Sequence, residues 1–241
     1  MLEIDKTNIT ELCPQANSIR PVVLQDKNHP DYIGVVGSST MIRRNAKNYV
    51  VCTRHQLTLS VGTENKLNDS SSPLFISHTD SGELRSIPVE SCVFATDPER
   101  QELHDILIFK VAEEHLDSLW FYPLVELPTG NRLGSFFIGC PSELLEISYE
   151  PLNVLFRTVV YVCAHDAEAV LQEKHFNRYS YDPKKAINLD GFSGGAMFSG
   201  YETSDGPQVF LSGIITRGGN GFVHVIDANY VANAIDRTLL P

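Results

Sequence analysis

The chain has 241 residues, of which 42% are hydrophobic, and its 19 Lys and Arg against 30 Asp and Glu give a formal net charge of −11. This composition excludes global disorder and suits a protein that buries its own core as one large or two small domains. Both halves of the chain are acidic. A nucleic-acid reader is therefore not expected, because such a protein needs a positively charged face.

The start of the chain contains neither a long apolar run nor a basic segment, so we expect no secretion signal and no membrane-spanning helix. The five cysteines are odd in number, include no C-x-x-C pair and are widely spaced. Free thiols in a reducing cytoplasm are the expected state.

Short β-branched and aromatic runs separated by turn residues follow one another along most of the chain. In the first half the predicted strands are 32–36, 40–44, 49–53, 74–78, 92–95 and 106–111. In the second half they are 135–139, 154–163, 195–198, 209–216 and 221–226. This spacing predicts antiparallel sandwich or barrel sheets rather than strands that alternate with long helices.

Two short segments carry a helical pattern. Residues 167–174 could form two turns or a loop, whereas residues 228–239 have apolar side chains at helical spacing and Asp227 in position to cap the first turn. The segment 116–128 holds the only Trp and few strand-like alternations, so we place a boundary near residue 118. The predicted units are an N-terminal extension, a first β unit and a second β unit, at 1–30, 31–118 and 119–241.

A serine enclosed by glycines is the sharpest motif of the chain. In Gly191-Phe-Ser193-Gly-Gly, glycines on both sides allow a tight turn and bring backbone N–H groups close to a substrate oxygen. Taken alone, the motif fits a structural turn equally well.

A histidine and an aspartate stand at the ends of two apolar runs. His55 closes the run that begins at Tyr49, and Asp105 opens the run that begins at Ile106. Each is ordinary by itself, because a histidine at a strand end is usually a satisfied surface or core residue and an aspartate before a buried run is often a cap. With Ser193, however, they stand in the order of a nucleophilic triad, histidine, aspartate, serine.

With these flanking strands, the sequence resembles the chymotrypsin/trypsin-like serine peptidases, in particular their intracellular, bacterial-type members. The resembling stretches are 34–40, 50–55, 104–111, 134–141, 191–195 and 211–218. The resemblance implies an all-β fold of two antiparallel Greek-key β-barrels with a short C-terminal helix. The first barrel would supply His55 and Asp105, and the second would supply Ser193.

What the resemblance implies for function is a serine endopeptidase that works through an acyl-enzyme intermediate. His55 would accept the proton of Ser193 and later give it to the departing amine, while Asp105 orients the imidazole. The backbone N–H groups of Gly191 and Ser193 would bind the developing oxyanion. Such a reaction needs a polypeptide substrate and no cofactor, and the histidines form no H-E-x-x-H metal motif.

Two departures from the family pattern bear on how the protein is activated and which substrates it prefers. Phe192 stands where secreted members carry an aspartate that pairs with a newly released N-terminus, so activation by N-terminal insertion is not expected. Arg217, between Thr216 and Gly218, stands where the substrate-pairing strand of other members carries an aromatic residue. We expect Arg217 to favour an acidic residue upstream of the scissile bond.

The pocket for the side chain before the scissile bond is located by counting six residues back from Ser193, to Ile187. An apolar base with Gly218 on the wall suits a medium or large hydrophobic side chain and rejects Lys or Arg. Asn188 and His224 could instead provide polar partners for Gln or Glu.

Two rival interpretations stay open. The order Ser193, Asp205, His224 would fit an α/β-hydrolase, although that fold requires long helices that the sequence does not offer. A catalytically silent, peptidase-like binding module in an intracellular assembly is the second rival. The extension 1–30 could dock a regulatory protein partner or cover the cleft.

Overall fold

The computed structural model describes residues 13–26, 28, 33–61, 64–67, 71–78, 84–94, 105–112, 119–149, 152–166, 175–184 and 188–238. The strands of the first half are β1 (Ile19–Asp26), β2 (Ile33–Arg44), β3 (Lys47–Cys52), β4 (Thr58–Val61), β5 (Glu64–Leu67), β6 (Ser71–His78), β7 (Leu84–Ser86), β8 (Val89–Phe94) and β9 (Leu107–Val111). Those of the second half are β10 (Tyr122–Pro123), β11 (Arg132–Gly139), β12 (Glu146–Tyr149), β13 (Leu152–Leu155), β14 (Val159–His165), β15 (Phe176–Ser180), β16 (Ala196–Thr203), β17 (Gly206–Gly219) and β18 (Phe222–Asp227). Helix α1 (Ala228–Thr238) follows, and short 3₁₀ turns occupy Pro14–Ser18, His55–Leu57 and Ser142–Leu144.

Most of these strands form a half-barrel sheet and a closed barrel, while β4 with β5 and β12 with β13 form separate two-stranded sheets. The first sheet has the order β7-β6-β1-β2-β3-β9-β8, and the second barrel has the order β11-β14-β15-β18-β17-β16. Neighbouring strands on both paths pair antiparallel, and β10 adds to β2 in parallel. The predicted all-β fold class is confirmed, and the α/β-hydrolase alternative is wrong because its sheet is mainly parallel.

The three largest parts of the apolar core lie inside the first sheet, inside the second barrel and between the two. Side chains that fill the first sheet include Val22, Met41, Val50, Phe75 and Leu107. Those inside the second barrel include Phe137, Tyr179, Phe192, Met197 and Ile215. The layer between the two includes Ile42, Val51, Ile138, Phe198 and Ile235. Each fully buried side chain of this kind contributes about 1.5–3 kcal/mol relative to exposure, so the two sheets are held against each other by burial.

Helix α1 begins where the sequence predicted. The Asp227 carboxylate accepts a 2.7 Å hydrogen bond from the backbone N–H of Asn229, which satisfies one of the free donors of the first turn. Val231 and Ile235 are fully buried and pack into the layer between the sheets. The helix thus closes the contact between the two halves.

Several predicted boundaries need correction. Residues 19–26, assigned to the N-terminal extension, form β1, which pairs with β2 on one side and β6 on the other. Pro21 interrupts this strand in the sequence, but it is tolerated because the carbonyl of Ser38, its register partner, accepts a hydrogen bond from Gln56 Nε2 and needs no donor from β1. β10 belongs to the first sheet, although the sequence placed everything from 119 onward in the second unit.

Two further predictions differ in detail or lie outside the described part. The predicted strand 154–163 is divided between β13 and β14, and the predicted strands 32–36 and 40–44 join as β2. The boundary near residue 118 and the helical segment 167–174 lie outside the described residues.

Two general features bear on the function. No helix in the described part of the chain is long and apolar enough to cross a membrane. All five cysteines carry free thiols, and burial raises the pKa of Cys140 and Cys163 to about 12. Neither thiol is therefore poised to act as a nucleophile at neutral pH.

An ion pair ties α1 to the end of β2. The Arg44 guanidinium donates to both carboxylate oxygens of Asp236, at 3.2 and 2.7 Å, and the Asn45 amide adds a 2.9 Å hydrogen bond. The hydrogen bond from Arg44 is the main reason that the pKa of Asp236 lies below its ordinary value. The charged carboxylate is therefore favoured in the folded protein.

We expect Asp236→Asn to lower the free energy of unfolding by about 1 kcal/mol at neutral pH, because the pair is partly exposed. Because folding lowers the pKa of Asp236, its charge contributes fully to the free energy of unfolding above the pKa of the unfolded state. This contribution is lost as the pH falls through the pKa of the folded state. Urea unfolding of both proteins across the acid range measures this, with exposed Asp205→Asn as the control. If the difference in unfolding free energy between the wild-type protein and Asp236→Asn does not shrink on acidification, the role of the Asp236 charge is contradicted.

Candidate active site

His55 and Asp105 meet where β3 ends and β9 begins. Cys52 at the end of β3 pairs with Leu107 at the start of β9, so the residues just beyond them come together. His55 Nδ1 lies 2.5 Å from Asp105 Oδ2, and the backbone N–H of His55 donates to Asp105 Oδ1 at 2.8 Å. Both carboxylate oxygens therefore hold the histidine. The other ring nitrogen, Nε2, lies 3.5 Å from Thr53 Oγ1.

Ser193 lies in a tight turn between β15 and β16. The turn depends on glycine at two positions, since Gly191 has φ +93° and Gly194 has φ +82°. A Cβ atom would also collide at both, coming within 2.5 Å of Cys140 O at the first and 2.0 Å of Ser38 O at the second. The glycines that enclose the serine therefore serve both backbone conformation and close approach.

Phe192 anchors the turn in the second barrel. Its side chain is 1% exposed and packs edge-on against Phe137, with ring centroids 5.5 Å apart. A Cβ atom on Gly139 would lie 2.4 Å from the Phe192 ring, so β11 makes room for this ring. Apolar burial thus holds Phe192, the residue before Ser193. Secreted members of the family that the sequence resembles carry an aspartate at this position.

A buried amide connects the histidine to the serine turn. Gln56 follows His55 and is 6% exposed. Its Oε1 accepts a hydrogen bond from the Thr53 N–H at 2.9 Å, and its Nε2 donates to Ser38 O at 3.1 Å and to Ser193 O at 2.6 Å. Because Ser193 belongs to the second barrel, this one side chain bridges the two halves of the protein.

Two hydroxyl groups of β2 extend this bridge. The backbone N–H of Ser38 donates to Ser193 O at 2.8 Å, and its hydroxyl donates to Gly191 O at 2.6 Å. The Thr40 hydroxyl donates to Gly194 O at 2.8 Å. We call the three buried polar residues that hold the turn from the first sheet the polar seam: Ser38, Thr40 and Gln56.

Two backbone N–H groups of the turn are left unbonded. In the part of the chain that the structure describes, neither Gly191 N–H nor Ser193 N–H donates to a protein atom, whereas those of Phe192 and Gly194 do. Donors of this kind can bind an oxyanion when they converge on it. The Ser193 hydroxyl itself donates to Thr216 O at 3.1 Å.

Thr216, Arg217 and Gly218 lie on β17, beside the serine turn. β18 pairs with β17 as far as Gly219, whereas β16 pairs with it only as far as Ile214. Within the described ranges, the edge of β17 from Arg217 onward therefore has no strand partner on the side of the serine. An extended peptide can add to such an edge by main-chain hydrogen bonds.

The space next to Gly218 is bounded by apolar side chains. A Cβ atom on Gly218 would lie 2.6 Å from Leu189 Cδ1 and 3.1 Å from Val223 Cγ1. Leu189 thus packs against Gly218 from the serine turn, and Val223 lies beside Gly218 on the neighbouring strand β18. Ile187, the predicted base of this pocket, lies outside the described residues.

Asn188 is bonded within its own turn. Its Nδ2 donates to Asp190 Oδ2 at 2.6 Å, and its Oδ1 accepts from the Asp190 N–H at 3.1 Å. Both polar atoms of the Asn188 amide are therefore bonded to Asp190.

His224 lies on the face of β18 opposite to the pocket wall. Successive strand residues point to opposite faces, and Val223 is the neighbour that faces Gly218. His224 instead pairs in register with Arg217 on one side and Arg178 on the other. Burial lowers the pKa of His224, and both arginines add to the effect. The structure does not bring this predicted polar partner to the pocket.

Sequence reasoning missed the polar seam and Leu189. Gln56 follows His55 directly, next to the apolar end of β3, and a glutamine at such a position indicates a buried polar contact. Its partner Ser193 lies far along the chain, so the sequence does not identify it. No group of three or more His, Cys, Asp or Glu side chains in the described ranges is placed to hold a metal ion.

Comparison with known proteins identifies the class of fold. No family model and no curated protein matches the chain. Among solved structures, the atomic-resolution structure of a protein abbreviated HBP is similar with a TM-score of 0.56 and 13% identity, over 94% of this chain and 93% of that one. Human heparin-binding protein is similar with a TM-score of 0.53 and 13% identity, over 92% and 91% of the two chains. The protein has the chymotrypsin-like fold.

The polar seam generates a stability prediction. Gln56→Leu retains the approximate volume but leaves the Thr53 N–H and the Ser38 carbonyl buried without these bonds, so we expect a loss of about 3 kcal/mol in unfolding free energy. Urea denaturation measures the loss, and Gln208→Leu, at an exposed position, is the matched control. Equal stability of the two variants would show that the amide does not connect the halves energetically.

Proposed function

We propose that the protein is a serine endopeptidase that hydrolyses peptide bonds through His55, Asp105 and Ser193. The observation that carries the proposal is the connection through Gln56, which joins the His55–Asp105 pair to a serine turn with two unbonded N–H groups. A structural turn would need neither the paired histidine nor the free amides.

The chemistry begins with the serine hydroxyl. Rotation of the Ser193 side chain away from Thr216 O would direct its proton to His55 Nε2, which accepts it as Oγ bonds to the substrate carbonyl carbon. Asp105, bonded to Nδ1 and to the backbone N–H of His55, holds the ring and stabilises its cation. The oxyanion would bind the N–H groups of Gly191 and Ser193.

The second half of the cycle uses the same groups in reverse. His55 gives its proton to the amine as the carbon–nitrogen bond breaks, which leaves Ser193 acylated. A water molecule then loses a proton to His55 and attacks the acyl carbon, and the proton returns to Ser193 Oγ as the ester bond breaks. No cofactor takes part in the proposed steps.

The substrate is proposed to be an extended polypeptide. The open edge of β17 at Arg217 and Gly218 supports this, because peptide backbone can pair with it. Exposed Arg217 supports a modest preference for an acidic residue upstream. The apolar wall formed by Leu189 and Val223 supports an apolar side chain before the scissile bond, since nothing on that wall would offset the desolvation of Lys or Arg.

We also propose that the protein is a cytoplasmic, bacterial-type peptidase. The five free thiols support this location, because thiols stay reduced in the cytoplasm. A regulatory protein partner that restrains it is proposed as well. We do not propose heparin binding, which the name of a similar protein suggests, because a chain with a net charge of −11 would repel a polyanion.

A catalytically silent binding module is the second candidate. The hydrogen bond from Ser193 Oγ to Thr216 O favours it, because in this arrangement the hydroxyl proton is directed to a backbone carbonyl. The edge of β17 would then bind a peptide without cutting it.

Reaction with an alkyl fluorophosphonate distinguishes the two candidates. We expect the wild-type protein to be labelled at Ser193, because the activated oxygen displaces fluoride from phosphorus, and Ser193→Ala to abolish labelling. Peptide hydrolysis should fall by about 10⁶ in that variant if the triad acts as a unit. Unchanged hydrolysis by Ser193→Ala would remove the assignment of the nucleophile.

Asp105→Asn tests the orientation of the imidazole. We expect the rate to fall by about 10⁴ with the fold intact, since the amide stabilises the wrong tautomer of His55. Steady-state hydrolysis together with circular dichroism measures both effects. His104→Ala, one residue earlier, is the control and should be mild. A greater loss from the His104 variant would show that the catalytic site has been misplaced.

A further inference from the structure

Leu189 packs against Gly218 at the open edge of β17, beside the serine turn. We propose that Leu189 restricts this pocket to small side chains such as that of alanine, an inference that rests on the proposed peptidase function. It replaces the medium or large hydrophobic side chain that the sequence alone suggested.

The position of the pocket follows from the strand that binds the peptide. A substrate paired with the free edge of β17 and bonded to Ser193 passes along Gly218, where the absence of a side chain leaves the backbone open to a neighbour. The opposite wall begins at Leu189, because its Cδ1 approaches Gly218 from the serine turn. The gap between Gly218 and Leu189 is therefore the entry of the pocket.

In the structure Leu189 itself fills the space next to Gly218. Leu189 Cδ1 lies 2.6 Å from the position of a Cβ atom on Gly218, which is closer than real Cβ contacts come. Val223 Cγ1 lies 3.1 Å from the same position and limits the gap from β18. A flat aromatic ring or a branched Leu side chain would need the volume that Leu189 fills, whereas a methyl group would not.

Leu189 is held in place by the core of the second barrel. It is half-buried and packs against the apolar cluster that includes Phe192 and Val223. Displacing it would expose apolar surface and disturb a close-packed interior, which resists such changes. The residue next to it in the serine turn, Asp190, is bonded to Asn188, so the segment is also fixed by its polar atoms.

Inactivation by peptidyl diphenyl phosphonates tests the inference. In these probes Ser193 Oγ bonds to phosphorus, one phosphorus–phenoxide bond breaks, and phenol leaves with the serine proton relayed by His55. Three probes with one peptide and an alanine, leucine or phenylalanine side chain next to phosphorus report the pocket directly. We expect the wild-type protein to react at least about tenfold faster with the alanine probe than with the phenylalanine probe.

Leu189→Ala should raise the relative rate of the leucine and phenylalanine probes at least about tenfold, because it empties the gap. Leu189→Val, a smaller change that spares the fold, should shift the ratio in the same direction. Leu133→Ala is the matched control, since Leu133 is 52% exposed on β11, and should leave the ratio unchanged.

The outcomes separate this inference from the proposed function. A wild-type preference for the phenylalanine probe, or a ratio that Leu189→Ala and Leu189→Val do not change, would overturn the role of Leu189 while labelling by the alkyl fluorophosphonate still supports the peptidase. If the alkyl fluorophosphonate does not label Ser193, the proposed function and the inference both fail.

Discussion

The carbonyl oxygen of Ser193 accepts two hydrogen bonds from the other half of the protein, one from Gln56 Nε2 at 2.6 Å and one from the Ser38 N–H at 2.8 Å. The candidate site depends on this contact because its histidine and serine come from different sheets. Gln56 is adjacent to His55 in the chain, so one amide couples the position of the imidazole to that of the serine backbone. A small shift between the sheets would otherwise change the position of the serine turn relative to the imidazole.

The apolar layer around the polar seam makes these hydrogen bonds effective. The seam is buried and lies between sheets that share a core of aliphatic and aromatic side chains. Water cannot compete easily there, so each bond is strong if made and costly if lost. Phe192 adds an apolar anchor on the other side of the turn. The turn is thus held by hydrogen bonds from the first sheet and by packing in the second barrel.

Much of the fold and part of the site could be predicted from local patterns in the sequence. Strand-like runs, the cap at Asp227 and the glycines around Ser193 are signals carried by neighbouring residues. The strand β1 was missed because Pro21 breaks its pattern, and the proline is tolerated because the Ser38 carbonyl opposite it bonds to the side chain of Gln56. The roles of Gln56 and Leu189 depend on partners brought near by folding, so no local pattern shows them.

The most direct test of this account is a crystal structure of the protein after reaction with an alkyl fluorophosphonate. The account predicts a phosphonyl group on Ser193 Oγ, with its oxygen within hydrogen-bond distance of the Gly191 and Ser193 N–H groups and His55 Nε2 beside the ester oxygen. It also predicts that Gln56 Nε2 still donates to Ser193 O. A phosphonyl group on another residue, or one whose oxygen points away from both amides, would contradict the claim that the polar seam assembles a catalytic site.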